Sequence, residues 1–380
     1  MKHVKYRVIA LFVMFAVFIA FPIINNFAGF VKDIPSQENR ARSKKPCFDI
    51  NLLDPYPELY EKYYNDTFPI RSRIIKHFTD FNLHVYKKSP FPDKVVIGND
   101  NWLFMAGGEL EAYLGKNQLT KEQLEAYKLD MEFQKKYLEE RGCKFYFMVT
   151  PTKANVHSEK MPYTYYRVNE QSVGEQLSEY LKKNSSISVI SVFDEFKKIK
   201  ESEHIYYKHD NHWNRKGAFY ASQIIIKEIQ KDFPNIKPLA INDFEVTKVV
   251  KEEGDIIRFV GSPDLGEDYE YEFISKKSGK PVPTNTLKYE ITDDPAGPAV
   301  QTIHNSDTMR PKMMIMGDSF AGMLFPFLSE SFSKSTRVFD NWRYKMWDEV
   351  VKAEKPDVYI LMIYEPFVVY TPDNHSRFKK

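Results

Sequence analysis

Cysteine is nearly missing from these 380 residues; Cys47 and Cys143 are the only two. They have neither zinc-ligand spacing nor a C-x-x-C arrangement, which excludes a cysteine-built metal cluster and a dithiol redox motif. Two readings stay open: one disulfide in an exported domain, or, for Cys143 just ahead of an apolar stretch, an inert core thiol. An excess of charge is missing as well. Lys and Arg total 54 against 52 Asp and Glu, a formal balance of +2, so no nucleic-acid partner held by bulk charge is expected. Internal repeats and low-complexity tracts are absent. Beyond residues 1–30 no run is apolar enough to span a membrane.

What is present begins with a globular composition, 28% charged and 43% hydrophobic. At about 150 residues per domain the length suggests two to three domains. Aromatics reach 15%, with 24 Tyr and 29 Phe; a packed core and a groove for stacking sugar rings both account for that. The N-terminus is more decisive. Lys2, His3, Lys5 and Arg7 precede the uncharged apolar run Val8 to Ile24. Positive residues stay in the cytoplasm, so the remainder is expected outside it. The run is long for a signal peptide and no small-x-small cleavage site follows, which favours a retained signal-anchor over a cleaved leader.

The expected organisation is a cytoplasmic tip and transmembrane anchor over residues 1–30, a linker with N-terminal helices over 31–94, and a catalytic domain over 95–380. Within the linker, Arg40, Arg42, Lys44 and Lys45 suit a strip beside anionic lipid. Tyr56 to Tyr86 has helical spacing, and Pro69 is expected to begin a second helix there. Val95–Gly98 and Trp102–Phe104 read as short strands around an Asn-Asp-Asn turn. Leu119 to Arg141 is an amphipathic helix with a Thr120/Gln123 capping box and Gly142 at its end. Strands are expected at Lys144–Thr150, Ile187–Phe193, Lys312–Met316, Arg337–Phe339 and Val358–Ile363. Helices are expected at Gln171–Lys183, Arg215–Lys231, Ala321–Ser331 and Met346–Glu354. Pro151-Thr152-Lys153 reads as a loop, and about 251–310 as an inserted, loop-rich β segment, with short strands such as Tyr269–Phe273 and Leu287–Ile291. Strands alternating with helices predict an α/β fold: a mostly parallel sheet flanked by helices.

In such a sheet, ligands gather at the C-terminal strand ends. Ser319, in Gly317-Asp318-Ser319-Phe320, lies just past the strand that ends at Met316. A helix N-terminus there offers N–H groups to a developing oxyanion, which suits acyl transfer; the bland alternative is that Asp318 or Ser319 merely caps the helix. A serine needs a base, and the base an orienting group. Asp210-Asn211-His212-Trp213 supplies both, from a loop expected to follow the Ile187–Phe193 strand. The bland alternative is a capping Asp and a satisfied His ahead of the helix at Arg215. His209 is an alternative base. A metal site on His204, His209, Asp210 and His212 is a further alternative, although HxxH spacing suits a helix better than this loop.

These stretches carry a resemblance. The chain resembles the membrane-anchored polysaccharide O-acetyltransferases that include the alginate acetylation proteins, with an SGNH-hydrolase-like domain and an Asp-His-His-Trp-type motif. The likeness covers nearly all of the chain outside the anchor. Its marks are Tyr64-Asn65-Asp66-Thr67-Phe68-Pro69-Ile70-Arg71, Ile97-Gly98-Asn99-Asp100-Asn101-Trp102-Leu103-Phe104, Thr150-Pro151-Thr152-Lys153, Asp210-Asn211-His212-Trp213, Gly317-Asp318-Ser319-Phe320 and Lys355-Pro356-Asp357-Val358. The serine block comes last, as in the permuted alginate-type proteins.

The resemblance implies a Ser319-His212-Asp210 triad acting on a polysaccharide acceptor, beside a membrane-bound acyltransferase that supplies acetyl groups, with no cofactor and no metal. Asn211 stands where the family usually has the first His of its pair, outside the triad. The oxyanion Gly and Asn blocks of SGNH enzymes are not recognisable. Asn341, Arg343, Tyr344, Trp213 and Lys153 are candidate substrate contacts, with a solvated charge the plainer role for Arg343 and a loop wall the plainer role for Trp213. Two rival functions remain: a glycan acetyl esterase with the same triad, and a non-catalytic glycan-binding or assembly protein.

Overall fold

The structure is a computed structural model and describes residues 2–34, 42–50, 53–86, 88–251, 253–261, 265–276, 287–289, 299–340 and 342–370. The chain divides into two compact units: Met1–Pro92 with Ile257–Leu265, and Asp93–Ile256 with Gly266–Lys380.

The first unit opens with helix α1, Lys2–Ala28, in which Tyr6–Asn25 has a mean hydropathy of 2.7 and is long and apolar enough to cross a membrane. Its end is well defined. Gly29 takes a left-handed φ of +65°, and the Asn25 side chain exchanges hydrogen bonds with Val31 N and O at 2.7 and 2.8 Å. Helices α2 (Tyr56–Thr67) and α3 (Arg71–Phe81) follow. Pro69 does not begin α3, contrary to the sequence expectation. Ile70 takes a left-handed φ of 60°, and α3 starts at Arg71, where the Asp33 carboxylate accepts from Ser72 N and Arg73 N at 3.3 and 3.0 Å. Asp66 likewise accepts from the backbone and hydroxyl of Ser43. The described parts of the expected linker are therefore hydrogen-bonded to α2 and α3. Arg40 lies outside the described residues.

The second unit begins with the antiparallel pair β1 (Val95–Ile97) and β2 (Leu103–Met105). It continues through α4 (Gly108–Leu114), α5 (Lys121–Glu139), β3 (Lys144–Thr150), α6 (Lys153–Val156), α7 (Val173–Asn184), β4 (Ser188–Ile190), α8 (Phe193–Ile199) and α9 (Arg215–Ile229). Strand β5 (Phe244–Lys251) precedes α10 (Ile257–Val260), which belongs to the first unit. Then come β6 (Asp268–Ser275), β7 (Leu287–Tyr289), β8 (Ala299–His304), β9 (Lys312–Met316), α11 (Ser319–Ser329), β10 (Lys334–Phe339), α12 (Asp348–Glu354) and β11 (Val358–Tyr364).

Among the described residues seven strands form the main sheet, in the order β4-β3-β11-β9-β10-β8-β7. The first five run parallel; β8 and β7 add antiparallel at one edge. Strand β11 is buried along its whole length, as a strand covered on both faces must be. Alternate side chains divide between two cores. Tyr146, Met148, Ile315 and Ile360 pack with α8, α9 and α11, while Phe145, Phe147, Met314 and Leu361 pack with α5, α7 and α12. At about 1.5–3 kcal/mol per buried aliphatic or Phe side chain, this two-sided burial is the main support of the sheet.

Two expectations fail here. The Ile187–Phe193 strand shrinks to Ser188–Ile190, because Phe193 and Phe196 are both buried at helical spacing and start α8. The Asp-His loop therefore follows a helix rather than a strand. The expected insertion at 251–310 is not one module either. Strands β5 and β6 pair as a separate ribbon that starts before residue 251, whereas β7 and β8 join the main sheet. Residues 277–286 and 290–298 lie outside the described residues, including Ile291 at the end of the expected Leu287–Ile291 strand. The parallel strands nonetheless deliver Lys153, Ser319, Tyr344 and Tyr364 to one sheet edge, the C-terminal one.

Candidate active site

The serine is positioned by a tight strand-to-helix turn. At Gly317 a Cβ would stand 2.7 Å from that of Ala321, so only glycine lets β9 run into α11. Asp318 caps α11, its Oδ1 accepting from Phe320 N at 2.9 Å. Its Oδ2 accepts from Tyr344 Oη at 2.7 Å and Tyr364 N at 3.1 Å, and its carbonyl accepts from Arg337 at 3.0 Å. Burial raises the Asp318 carboxyl above the usual range, against the pull of the Tyr344 hydrogen bond. With Asp318 doing the capping, the Ser319 hydroxyl is left to point elsewhere, and it meets His212 Nε2 at 2.7 Å.

The histidine arrives on an irregular loop. Tyr206 and Trp213 close it as an isolated antiparallel bridge, with Tyr207 N donating to His212 O at 3.2 Å and Asn214 N to Ile205 O at 3.0 Å. Asn214 then caps α9. Underneath, the Lys153 ammonium donates to three carbonyls of the loop: Tyr207 at 3.1 Å, Lys208 at 3.0 Å and Asp210 at 2.7 Å. Lys153 is fully buried, and burial pushes its amine down to about 8 against the opposing charges of Glu109, Asp210 and Asp268. Asp268 accepts from His209 N at 2.8 Å, and Gly254 lies so close that a Cβ would stand 2.5 Å from His209 O.

Asp210 Oδ1 accepts from His212 Nδ1 at 2.7 Å and from His212 N at 3.1 Å. Its Oδ2 accepts from Asp255 N at 3.2 Å and Lys251 at 3.4 Å. Burial alone would raise the Asp210 carboxyl; the hydrogen bond and charge of His212, then Lys251, outweigh it and hold the group well below the usual carboxylate range. Burial likewise opposes charge on His212, but the Asp210 hydrogen bond and charge, then Asp255 and Asp318, raise it above its ordinary value. An ionised Asp210 accepts only, so Nδ1 carries the proton and Nε2 is the acceptor facing Ser319. The arrangement is a continuous hydrogen-bond chain in which the hydroxyl proton can pass to the imidazole while the carboxylate orients and stabilises the ring.

Ser319, His212 and Asp210 thus lie in one hydrogen-bonded chain. Three other candidates do not face a ligand. Lys153 and Trp213 are fully buried, and Tyr344 is nearly so, committed to Asp318. Trp213 supports the loop from inside, its ring edge-on to Phe320 at 5.1 Å. Arg343 pairs with Asp340 rather than standing free in solvent. Asn341 lies outside the described residues. Asn211 donates to Glu109 Oε1 at 3.4 Å.

The alternative metal set of His204, His209, Asp210 and His212 does not assemble among the described residues. His204 packs against Trp102 and Tyr271, and burial pushes it down to about 4. His209 is also lowered by burial. Among the described residues the group able to hold a metal is Asp210, His212 and Asp255, whose ligand atoms lie within 4.8 Å of one another. Two of those atoms already share the Asp210–His212 hydrogen bond. Sequence reasoning missed Asp255 and Lys251, since nothing in their spacing marks them; the β5–β6 ribbon brings them in.

Residues 95–340 match the SGNH hydrolase-like domain of acetyltransferase AlgX. The chain belongs to this family. It is an AlgX-type O-acetyltransferase, of a class that serves polysaccharide O-acetylation. Solved structures agree on the AlgX-type fold. PatB1 of Bacillus cereus superposes with a TM-score of 0.53 at 18% identity, covering 73% of this chain and 97% of that one. The same protein with a sulfonyl adduct gives 0.52 at 17%, covering 73% and 100%. A DHHW family protein from Eubacterium siraeum gives 0.50 at 14%, covering 73% and 95%. No curated protein matches the chain.

Proposed function

We propose that Ser319, His212 and Asp210 form a catalytic triad that moves an acetyl group onto hydroxyls of a cell-surface or secreted polysaccharide. The observation that carries this reading is the pair of 2.7 Å contacts, Ser319 Oγ to His212 Nε2 and His212 Nδ1 to Asp210 Oδ1. Ser319 Oγ attacks the acyl carbonyl carbon of the donor while its proton passes to His212 Nε2. Asp210 stabilises the imidazolium that results. The tetrahedral intermediate collapses, the leaving group takes the proton, and acetyl-Ser319 remains. A sugar hydroxyl then gives its proton to His212 and attacks the acetyl carbon. Ser319 leaves and recovers its proton. The Phe320 N–H is committed to Asp318, so in this reading the oxyanion rests on the N–H of Ser319 and the N-terminal dipole of α11.

In the same proposal α1 anchors the protein in the cytoplasmic membrane with the catalytic domain outside, beside a membrane acyltransferase that delivers acetyl groups. The length and apolarity of Tyr6–Asn25 and the preceding basic residues support it. Water in place of the sugar hydroxyl would make the protein an esterase. Glycan acetylation in cells carrying Ser319→Ala is the direct test. A loss of about 10⁴-fold or more is expected from triad chemistry, and wild-type acetylation would overturn the reading.

A further inference from the structure

The loop after β10 presents an aromatic ring in an unusual way. Trp342 has a left-handed φ of 59° and Tyr344 one of 51°, on either side of Arg343. A bulky residue pays for that conformation with strain on the order of 1–3 kcal/mol, and such strain persists only where surrounding contacts enforce it. They do so here. Arg343 N and its guanidinium both bind back to Asp340, whose side chain is buried. The two strained residues then point to different places. Tyr344 goes inward to the Asp318 carboxylate that caps the Ser319 helix. Trp342 stays 46% exposed, whereas Trp102 and Trp213 are buried and Trp347 partly so.

The exposed ring is held in place. Phe339 meets it edge-on at 5.2 Å, and Phe367 lies nearly parallel at 6.1 Å and 20°. Phe367 continues to Tyr364 at 6.3 Å, Tyr364 stacks on Phe320 at 4.5 Å, and Phe320 contacts the His212 ring at 4.7 Å. A line of rings therefore joins the exposed tryptophan to the base beside Ser319. A pre-ordered exposed indole loses little entropy on binding, which suits a flat apolar ligand face. The axial C–H face of a pyranose is such a surface.

We propose that Trp342 is an acceptor subsite, stacking on a pyranose ring of the glycan and thereby setting which residue of the chain reaches Ser319. This rests on the acetyl-transfer reading above and adds to it where the acceptor binds. The strained loop ties that platform to the serine: one end of the Trp342–Tyr344 segment holds sugar, the other holds the cap of α11.

The test uses the full chain in detergent and oligosaccharides cut from the host's own surface polysaccharide after alkaline deacetylation. Transfer kinetics are measured on wild type, Trp342→Ala and Trp342→Phe, and oligosaccharide binding is measured on each variant in a Ser319→Ala background. Trp342→Ala is expected to raise the acceptor KM and the dissociation constant about tenfold with kcat held within about threefold, and Trp342→Phe to restore most of the loss. An unchanged acceptor KM in Trp342→Ala overturns the proposal. So does a fall in kcat at constant KM, which would mark a purely structural loop. Transfer that survives Ser319→Ala alone instead defeats the triad reading, so the two failures are separable.

Discussion

The turn that carries Ser319 and the loop that carries His212 deliver two halves of one site by different means. The serine turn is local and regular: β9, Gly317, the Asp318 cap and α11 are consecutive in the chain. Its long-range supports, Tyr344 and Tyr364 N, converge on one carboxylate. The histidine loop has no such frame. Its backbone closes through the Tyr206–Trp213 bridge and one bond from Leu103 N to Lys208 O, and its shape comes from Lys153, Asp268 and Gly254, all distant in sequence. A regular element positions a nucleophile through backbone geometry, whereas an irregular loop needs buried side chains to satisfy its carbonyls. The histidine half should therefore be the more fragile.

Substitutions can break or sharpen that contrast. The largest effect is expected for Asp210→Asn, which keeps the shape but removes the charge that fixes the His212 tautomer; kcat should fall by about 10⁴-fold. Activity needs neutral His212, so kcat/KM of the wild type should rise with pH through a pKa above the ordinary histidine value, because Asp210 favours the protonated ring. In Asp210→Asn that acid limb should move to lower pH, and an unmoved limb would remove Asp210 from the site. Next comes Lys153→Met. It strands the Tyr207 and Asp210 carbonyls and leaves Lys208 O with Leu103 N alone, and a fall of about 10²-fold in kcat with a loss of about 2–4 kcal/mol in urea unfolding is expected. Equal activity to wild type would mean that the loop holds itself. Tyr344→Phe removes one hydrogen bond from the serine side, where Tyr364 N and Phe320 N still bind Asp318. About tenfold in kcat and about 1–2 kcal/mol in thermal unfolding are expected. If Tyr344→Phe proves worse than Lys153→Met, the contrast is inverted. The smallest effect belongs to Asp255→Asn, which takes an exposed negative charge from beside His212. The acid limb should shift slightly downward, with kcat within about threefold of wild type.

The same contrast explains what is legible in the sequence alone. Strands β3, β9 and β11 stand out as apolar runs because both of their faces are buried, and the Thr120/Gln123 capping box fixes the start of α5. The Gly-Asp-Ser turn is legible for the same reason: its causes are neighbours in the chain. Helix α8 was hidden because Val189, Ile190, Val192 and Phe193 make one apolar stretch across a strand end and a helix start. The return of β7 and β8 to the main sheet was hidden because pairing partners leave no local trace. Lys153 was found as a residue but misplaced as a substrate contact. A lysine after a strand looks like a surface cation until its three carbonyl acceptors are known. Asp255 and Lys251 owe their place to the β5–β6 ribbon, and no spacing rule reaches them.

The buried lysine has one more consequence under the proposed mechanism, in which an acetyl ester forms on Ser319. An amine reacts with such an ester to give an amide, which would end turnover for good. Burial pushes Lys153 down to about 8, so its ammonium form is less secure than that of a surface lysine. Its three N–H bonds all point at backbone carbonyls, and the loop itself lies over it. The contacts that shape the loop use all three hydrogens of the ammonium, so they also hold this internal amine protonated and without a free lone pair, which in the proposed mechanism guards against self-acetylation.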